Sequence, residues 1–151
     1  MLSFSQVRKL RYDLIAEKEG QRIKVELKAI DLKAIQAGKA ATQHVSANEI
    51  VCSSHLIITV FDHIELKANH IMSIRQFVED SGVEKYKKYK DYESFLAEYA
   101  ELAKQKSMKR KNSPAENERL DFDFSFNPRN VEKWSLAKYK DQWDNLERSG
   151  N

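Results

Sequence analysis

Asp13 and the triplet Glu26-Leu27-Lys28 are the residues whose types and spacing best suit chemistry. Between them lies Lys18-Glu19-Gly20-Gln21, with the glycine that a tight hairpin turn favours. A hairpin turning about Glu19-Gly20 sets Ala16 opposite Ile23 and Asp13 opposite Glu26. Facing residues of an antiparallel pair have Cβ atoms roughly 4.5–5.5 Å apart. Two carboxylates held that close repel one another. A hard divalent cation removes the repulsion, and Mg²⁺ is commonly held by one or two carboxylates plus substrate phosphate. Lys28, two residues beyond Glu26, projects from the same face. A cation there can touch a scissile phosphate or orient an attacking water, where the transition state gathers negative charge. That is a recipe for metal-assisted phosphodiester hydrolysis. On this reading Val25 and Leu27 point the other way, into the core. The same alternation also fits an ordinary exposed hairpin face.

The elements that must position these groups are legible in outline. Phe4, Val7 and Leu10, at three-residue spacing, suggest one or two helical turns before the hairpin. Arg11 to Glu17 reads as one strand of the hairpin, and Arg22 to Ala29 alternates as the other. Residues 32–48 are less periodic and read as a helix or loop and helix, with Asn48 as a cap near its end. Leu56 to Phe61 is a β-branched run and a buried strand; Asp62-His63 turns it, and Ile64 to Ala68 returns. Ser73 and Gln76 have the spacing of a capping box that opens a short helix through Phe77 and Val78. Glu84 to Lys106 reads as one charged helix with an apolar stripe from Tyr86 to Leu102. A polar, basic loop follows at about 107–119, then a Phe/Asp strand from Leu120 to Phe126. Val131, Trp134, Tyr139, Trp143 and Leu146 suggest a last helix.

The whole chain bounds these readings. Its 151 residues suit a single domain, and 41% hydrophobic content is enough for one core. Lys and Arg exceed Asp and Glu by 26 to 23, a net charge of +3, so any nucleic-acid affinity must come from charge gathered on one face. One cysteine, Cys52, excludes an intramolecular disulfide and a cysteine-based zinc site. The absence of a run of about 18 apolar residues argues against a membrane span. The opening residues lack the pattern of a signal peptide. The expected location is cytoplasmic.

The segment Tyr12-Asp13-Leu14-Ile15-Ala16 followed by Val25-Glu26-Leu27-Lys28 resembles the core of the PD-(D/E)xK nuclease superfamily. Beyond it, the order of elements is similar to that of type II restriction endonucleases of the PvuII kind. Ala41 to Asn48 stands where those enzymes carry a histidine-rich loop, with His44 alone in place of three consecutive histidines. Leu56 to Ala68 matches their hydrophobic hairpin, and Asn127-Pro128-Arg129 their late Asn-Pro-Lys segment. The likeness spans roughly residues 11–134. It implies an α/β fold, restriction-endonuclease-like, with a mixed sheet flanked by helices over 1–151. It implies Mg²⁺-dependent cutting of double-stranded DNA at a specific site, with Asp13, Glu26 and Lys28 catalytic and Asp13, Glu26 and Leu27 holding metal. Thr42, Gln43, His44 and Asn48 become candidates for base contact, since Gln, Asn and His can pair with base edges in the major groove. Lys109, Arg110 and Lys111 become a backbone clamp, with Asn127 and Arg129 as further DNA contacts. A symmetric homodimer follows from a palindromic site. Two alternatives stay open: a sequence-independent junction or repair nuclease of the same superfamily, and a DNA-binding module without chemistry.

Other motifs carry less. Glu65-Leu66-Lys67 repeats the triplet, but Asp62 is only three residues away at a turn, so no partner is expected opposite it. His55, His63 and His70 share no ligand spacing. The lysines from 85 to 90 read as a solvated helix face, and Cys52 as a small core residue.

Overall fold

Alternation and a two-residue turn build the first hairpin. Strand β2 (Leu14–Lys18) runs antiparallel to the eleven-residue β3 (Gln21–Asp31), in register from Lys18 opposite Gln21 to Leu14 opposite Val25. Glu19 and Gly20 turn the chain with φ of 50° and 80°. Two successive left-handed residues match the twist of a hairpin. This computed structural model describes residues 2–3, 13–35, 41–82, 84–112 and 122–147. Within that range Leu2–Ser3 form a short strand, β1, paired with Ile15 and Ala16, where helical turns were expected. Phe4, Val7, Leu10, Arg11 and Tyr12 lie outside the described residues.

After β3 the chain makes a turn and then strand β4 (Ala41–Val45), helix α1 (Ala47–Cys52), and strand β5 (His55–Asp62). Among its described residues the expected helix or loop over 32–48 is therefore mostly turn and strand, and 36–40 lie outside them. Ser46, not Asn48, caps α1: its side chain accepts from Glu49 N–H, and the Glu49 carboxylate accepts from Ser46 N–H. β5 lies parallel to β3 and antiparallel to β6 (Glu65–Ser73), giving a five-stranded mixed sheet in the order β1-β2-β3-β5-β6. The returning strand is longer than the sequence suggested. His63 (φ 58°) tightens its turn enough to set Asp62 opposite Glu65, which the spacing of three had argued against. Glu65 pairs with Lys67 at 2.7 Å on an exposed strand face.

β5 is buried on both faces, as its β-branched run requires. Leu56, Ile58 and Val60 join the main core with Ile30 and Met72, while Ile57 packs with Leu14, Val25 and Ile71 in a smaller cluster behind the sheet. A capping box at Ser73 and Gln76 opens helix α2 (Ile74–Asp80), as the spacing predicted. The long charged helix divides. A short α3 (Glu84–Lys87) ends before α4 (Tyr92–Asn112), because the Asp91 carboxylate accepts from Ser94 N–H at 2.8 Å and starts a new helix. The break lets Tyr86, Tyr89 and Tyr92 all lie against the buried ring of Phe95. α4 also runs through 107–112, so the first part of the expected basic loop is helical, and Lys109, Arg110 and Lys111 stand on its last turns. The rest of that loop, 113–119, lies outside the described residues.

Strand β7 (Phe122–Phe126) pairs antiparallel with β4 in a two-stranded ribbon, turning Phe122 and Phe124 inward against Phe77, Phe95 and Tyr99, and Phe126 against Trp134. Instead of one last helix, three short 3-10 segments follow, at Pro128–Lys133, Ala137–Tyr139 and Trp143–Leu146. Non-helical backbone at Asn130 and a positive φ at Asp141 interrupt any longer helix. The last segment straps the sheet: Asn145 donates to the Ile71 carbonyl at 2.7 Å, and its own carbonyl meets His55 Nε2 at 3.0 Å. The result is a mixed α/β fold whose sheet is flanked by helices. Among the described residues no helix is long and apolar enough to cross a membrane.

Candidate functional site

β3 brings Glu26 and Lys28 onto one face, opposite Leu56 and Ile58 of β5. Burial by β5 leaves Glu26 only 4% exposed. The Lys28 Nζ donates to Glu26 Oε1 and to Glu49 Oε1, both at 3.0 Å. Glu49 reaches the site from the first turn of α1, and its other oxygen accepts from Ser46 N–H. Two carboxylates thus flank one ammonium group in a largely desolvated corner at the side of the main core.

Their titration separates. Burial pushes the Glu26 carboxyl up to about 7; Lys28 opposes the shift and the Glu49 carboxyl adds to it. Glu49 is held below the usual carboxylate range, because its hydrogen bonds with Ser46, Lys28 and Glu26 outweigh its own burial. Burial alone would depress Lys28, yet its bonds to the two carboxylates prevail and raise it. Near neutrality the corner therefore holds a charged lysine, a charged Glu49, and a Glu26 poised to gain or lose a proton. A lysine so stabilised suits the role of a fixed cation better than that of a base.

Asp13 follows the expected register in part. The ladder stops at Leu14 opposite Val25, and Asp13 comes next, with its N–H donating to the Val25 carbonyl at 3.0 Å. Its Oδ2 accepts from Leu27 N–H at 2.8 Å, so the carboxylate fastens the end of the ladder one residue from Glu26. The carboxylate that perturbs Glu26 is Glu49 rather than Asp13. Val25 is buried as expected, but Leu27 is 38% exposed and stands outside the apolar cluster of Leu14, Val25, Ile57 and Ile71. As a metal-holding position Leu27 has only its main-chain carbonyl to offer.

Among the described residues no group of three or more His, Cys, Asp or Glu is arranged to hold a metal ion. A buried carboxyl such as Glu26 is favoured in its charged form by a nearby positive charge, which Lys28 supplies at 3.0 Å.

The expected base-contact cluster is divided by strand alternation. Thr42 and His44 lie exposed on β4, opposite Ser125 and Asp123 of β7. Gln43 is half-buried opposite Phe124, on the other face of the ribbon. Asn48 sits inside α1, its Oδ1 buried and, among the described residues, without a hydrogen-bond partner. Asn127 caps the first 3-10 segment by accepting from Arg129 N–H at 3.0 Å, and Arg129 is exposed. Lys109, Arg110 and Lys111 extend α4 instead of a loop. Lys87 and Lys88 are paired to Glu84 and Glu98, and Cys52 is half-buried.

Sequence reasoning missed Glu49 and Asp123. Ser46-Ala47-Asn48-Glu49 has capping-box spacing, which would have moved the helix start and exposed the role of Glu49. The alternation of Phe122 to Phe126 would have turned Asp123 and Ser125 outward. No family model matches the chain, and neither a curated protein nor a solved structure matches it significantly.

Proposed function

We propose that the chain is a Mg²⁺-dependent endonuclease of double-stranded DNA with a restriction-endonuclease-like fold, acting at a specific site as a homodimer. The observation that carries this reading is the buried Glu26, its carboxyl pushed up to about 7, in contact with Lys28 on the same strand, with the Asp13 carboxylate on the N–H of the next residue, Leu27. Burial and repulsion of this kind destabilise a carboxylate unless a cation joins it, and such groups cluster at functional sites. Glu26 and Asp13, with the Leu27 carbonyl, would hold the ion. Mg²⁺ there would polarise a phosphoryl oxygen and ease the deprotonation of water. Lys28 stays protonated and donates to a phosphate oxygen where negative charge develops. Glu49 positions Lys28 by holding Nζ from α1.

Support for DNA as substrate comes from the polar outer face of the β4–β7 ribbon, joined to the carboxylate corner through Ser46 and Glu49. The major groove of B-DNA admits a two-stranded ribbon. The test is incubation of unmethylated plasmid and Mg²⁺ with the protein and with Asp13→Asn, Glu26→Gln and Lys28→Ala. Discrete bands from the parent, and rates lowered on the order of 100-fold or more in each variant, are expected. Ca²⁺ should allow binding with little cutting. Variants that cut like the parent, or cutting undiminished in excess chelator, would overturn the catalytic reading. DNA binding without cutting would leave a binding module, and cutting without discrete bands a sequence-independent nuclease.

A further inference from the structure

A strand at the edge of a sheet presents unpaired N–H and C=O groups that another strand can take, and folds blunt such edges with charges, bulges or cover. Three of the four described edges are blunted. β1 is only two residues long. β6 carries a bulge, since Val60 faces Ala68 and Phe61 faces Leu66, with Lys67 left over. Further along β6, the Asn69 and Ile71 carbonyls are taken by Asp141 N–H and the Asn145 amide. β7 bears the Asp123 carboxylate. β4 has none of these devices. Ala41-Thr42-Gln43-His44-Val45 contains no carboxylate, lysine or proline, and its ladder with β7 runs without a bulge. Among the described residues no strand lies along its outer edge.

The middle residue of β4 is Gln43, half-buried opposite Phe124. Among the described residues its side-chain amide makes no hydrogen bond. A primary amide carries two donors and an acceptor oxygen. Two such amides meeting head to head satisfy one another, each NH₂ donating to the other's carbonyl. Antiparallel pairing of β4 with the same strand of a second copy, about an axis at Gln43, produces that meeting. Gln43 then faces Gln43, Thr42 faces the second copy's His44, and Ala41 faces its Val45. Facing Cβ atoms lie roughly 4.5–5.5 Å apart, within reach of two glutamine side chains, and no like charges are opposed. Such a contact is self-complementary, as a two-fold interface must be.

We propose that two copies of this chain meet at their two-fold axis through β4, with Gln43 of one paired to Gln43 of the other. The pairing rests on the proposed homodimer and not on its cutting chemistry. A five-residue strand pair falls short of the roughly 800 Å² per partner of a stable interface, so it fixes the axis while other surfaces hold the dimer. It also sets the exposed Thr42 and His44 of both copies about that axis, where a palindromic site would present its two halves.

The experiment uses single-cysteine proteins in a Cys52→Ser background, Gln43→Cys and Ser125→Cys. Each is oxidised at micromolar concentration, with and without plasmid in Ca²⁺. Cysteines bridge only when their Cα atoms lie within about 7 Å. Gln43→Cys should form a covalent dimer roughly tenfold or more faster than Ser125→Cys, whose strand stands one further from the axis in each copy. Rates that match, or no linking of Gln43→Cys in either condition, would overturn the proposal. A second arm mixes Gln43→Lys with Gln43→Glu and weighs the dimers by native mass spectrometry. Random mixing gives as many mixed pairs as like pairs. Like charges directly opposite repel, so mixed pairs should exceed like pairs by roughly fivefold. Random mixing overturns the pairing even where Gln43→Cys melts early and its linking cannot be read. A parent that cuts plasmid while both arms fail overturns the strand pairing and leaves the nuclease reading standing. Linking and biased mixing in a protein that neither binds nor cuts DNA do the reverse.

Discussion

Glu26 is where the chemistry of this protein is concentrated, because its carboxyl titrates near neutrality instead of near 4.5. A carboxyl whose folded value is raised stabilises the fold in its protonated form. That contribution is complete below about pH 4.5 and fades as pH rises through about 7. His55 and His70 run the opposite way: burial holds both below the usual imidazole value, so their contribution is present above it and is lost as pH falls. The net pH profile of the parent therefore mixes two trends, and the comparison with Glu26→Gln isolates one. Glutamine keeps the shape and cannot ionise. Its stability relative to the parent should grow from pH 5 to pH 8 by about 2–3 kcal/mol and then level off. Urea denaturation at four pH values measures this, and a difference constant across the range would mean that Glu26 is not desolvated as described. Cutting by the parent should rise over the same interval, since Glu26 must lose its proton to hold a cation.

At the scale of elements, α1 matters more than its six residues suggest. Its capping box and the lysine clamp share one carboxylate, with one Glu49 oxygen on Ser46 N–H and the other on Lys28 Nζ. Ser46→Ala removes the hydroxyl that accepts from Glu49 N–H and should cost about 1 kcal/mol of stability. Glu49→Ala instead should lower the cutting rate more than it lowers DNA affinity in Ca²⁺, because Lys28 loses its outer anchor. Thermal melts and single-turnover rates check the two halves separately; an unchanged rate would detach Glu49 from the chemistry. α4 offers a different prediction. Lys109 and Arg110 stand on its last turns, where phosphate contacts would be independent of sequence. Replacing either with alanine should weaken binding to every duplex and reduce the salt slope by about one unit, measured by titration at several salt concentrations. A loss confined to one sequence would contradict that role.

For the whole molecule, the proposed function demands two copies. Cutting both strands of a palindrome needs two equivalent sites related by a two-fold axis. Sedimentation at micromolar concentration should give a dimer, at least with DNA present, and the preferred site should be palindromic. A strict monomer with DNA present would exclude the restriction-enzyme reading and favour a resolvase-like or non-catalytic protein. The dimer contact is expected from the apolar face of Phe4, Val7 and Leu10 or from the helical segment Glu84 to Lys106; the first three lie outside the described residues, so alanine at those positions, followed by sedimentation, is the direct test between the two.

What the sequence determined by itself was local. The register of the first hairpin followed from alternation and the Glu19-Gly20 turn, and with it the shared face of Glu26 and Lys28. The capping box at Ser73 and the alternating strand at Phe122–Phe126 were legible for the same reason: neighbours two or three residues apart decide them. Element ends were harder. Asp91 splits one apparent helix, and β4 emerges from a stretch with no clear period, because its strand geometry is supplied by β7, far along the chain. Only the tertiary structure could bring Glu49 to Lys28 across 21 residues, or Asp123 to His44 across 79. It also decided that Glu26 is buried, since β5 must first lie beside β3. Spacing along the chain encodes faces and turns; desolvation and long-range partners arise only when the sheet closes over them.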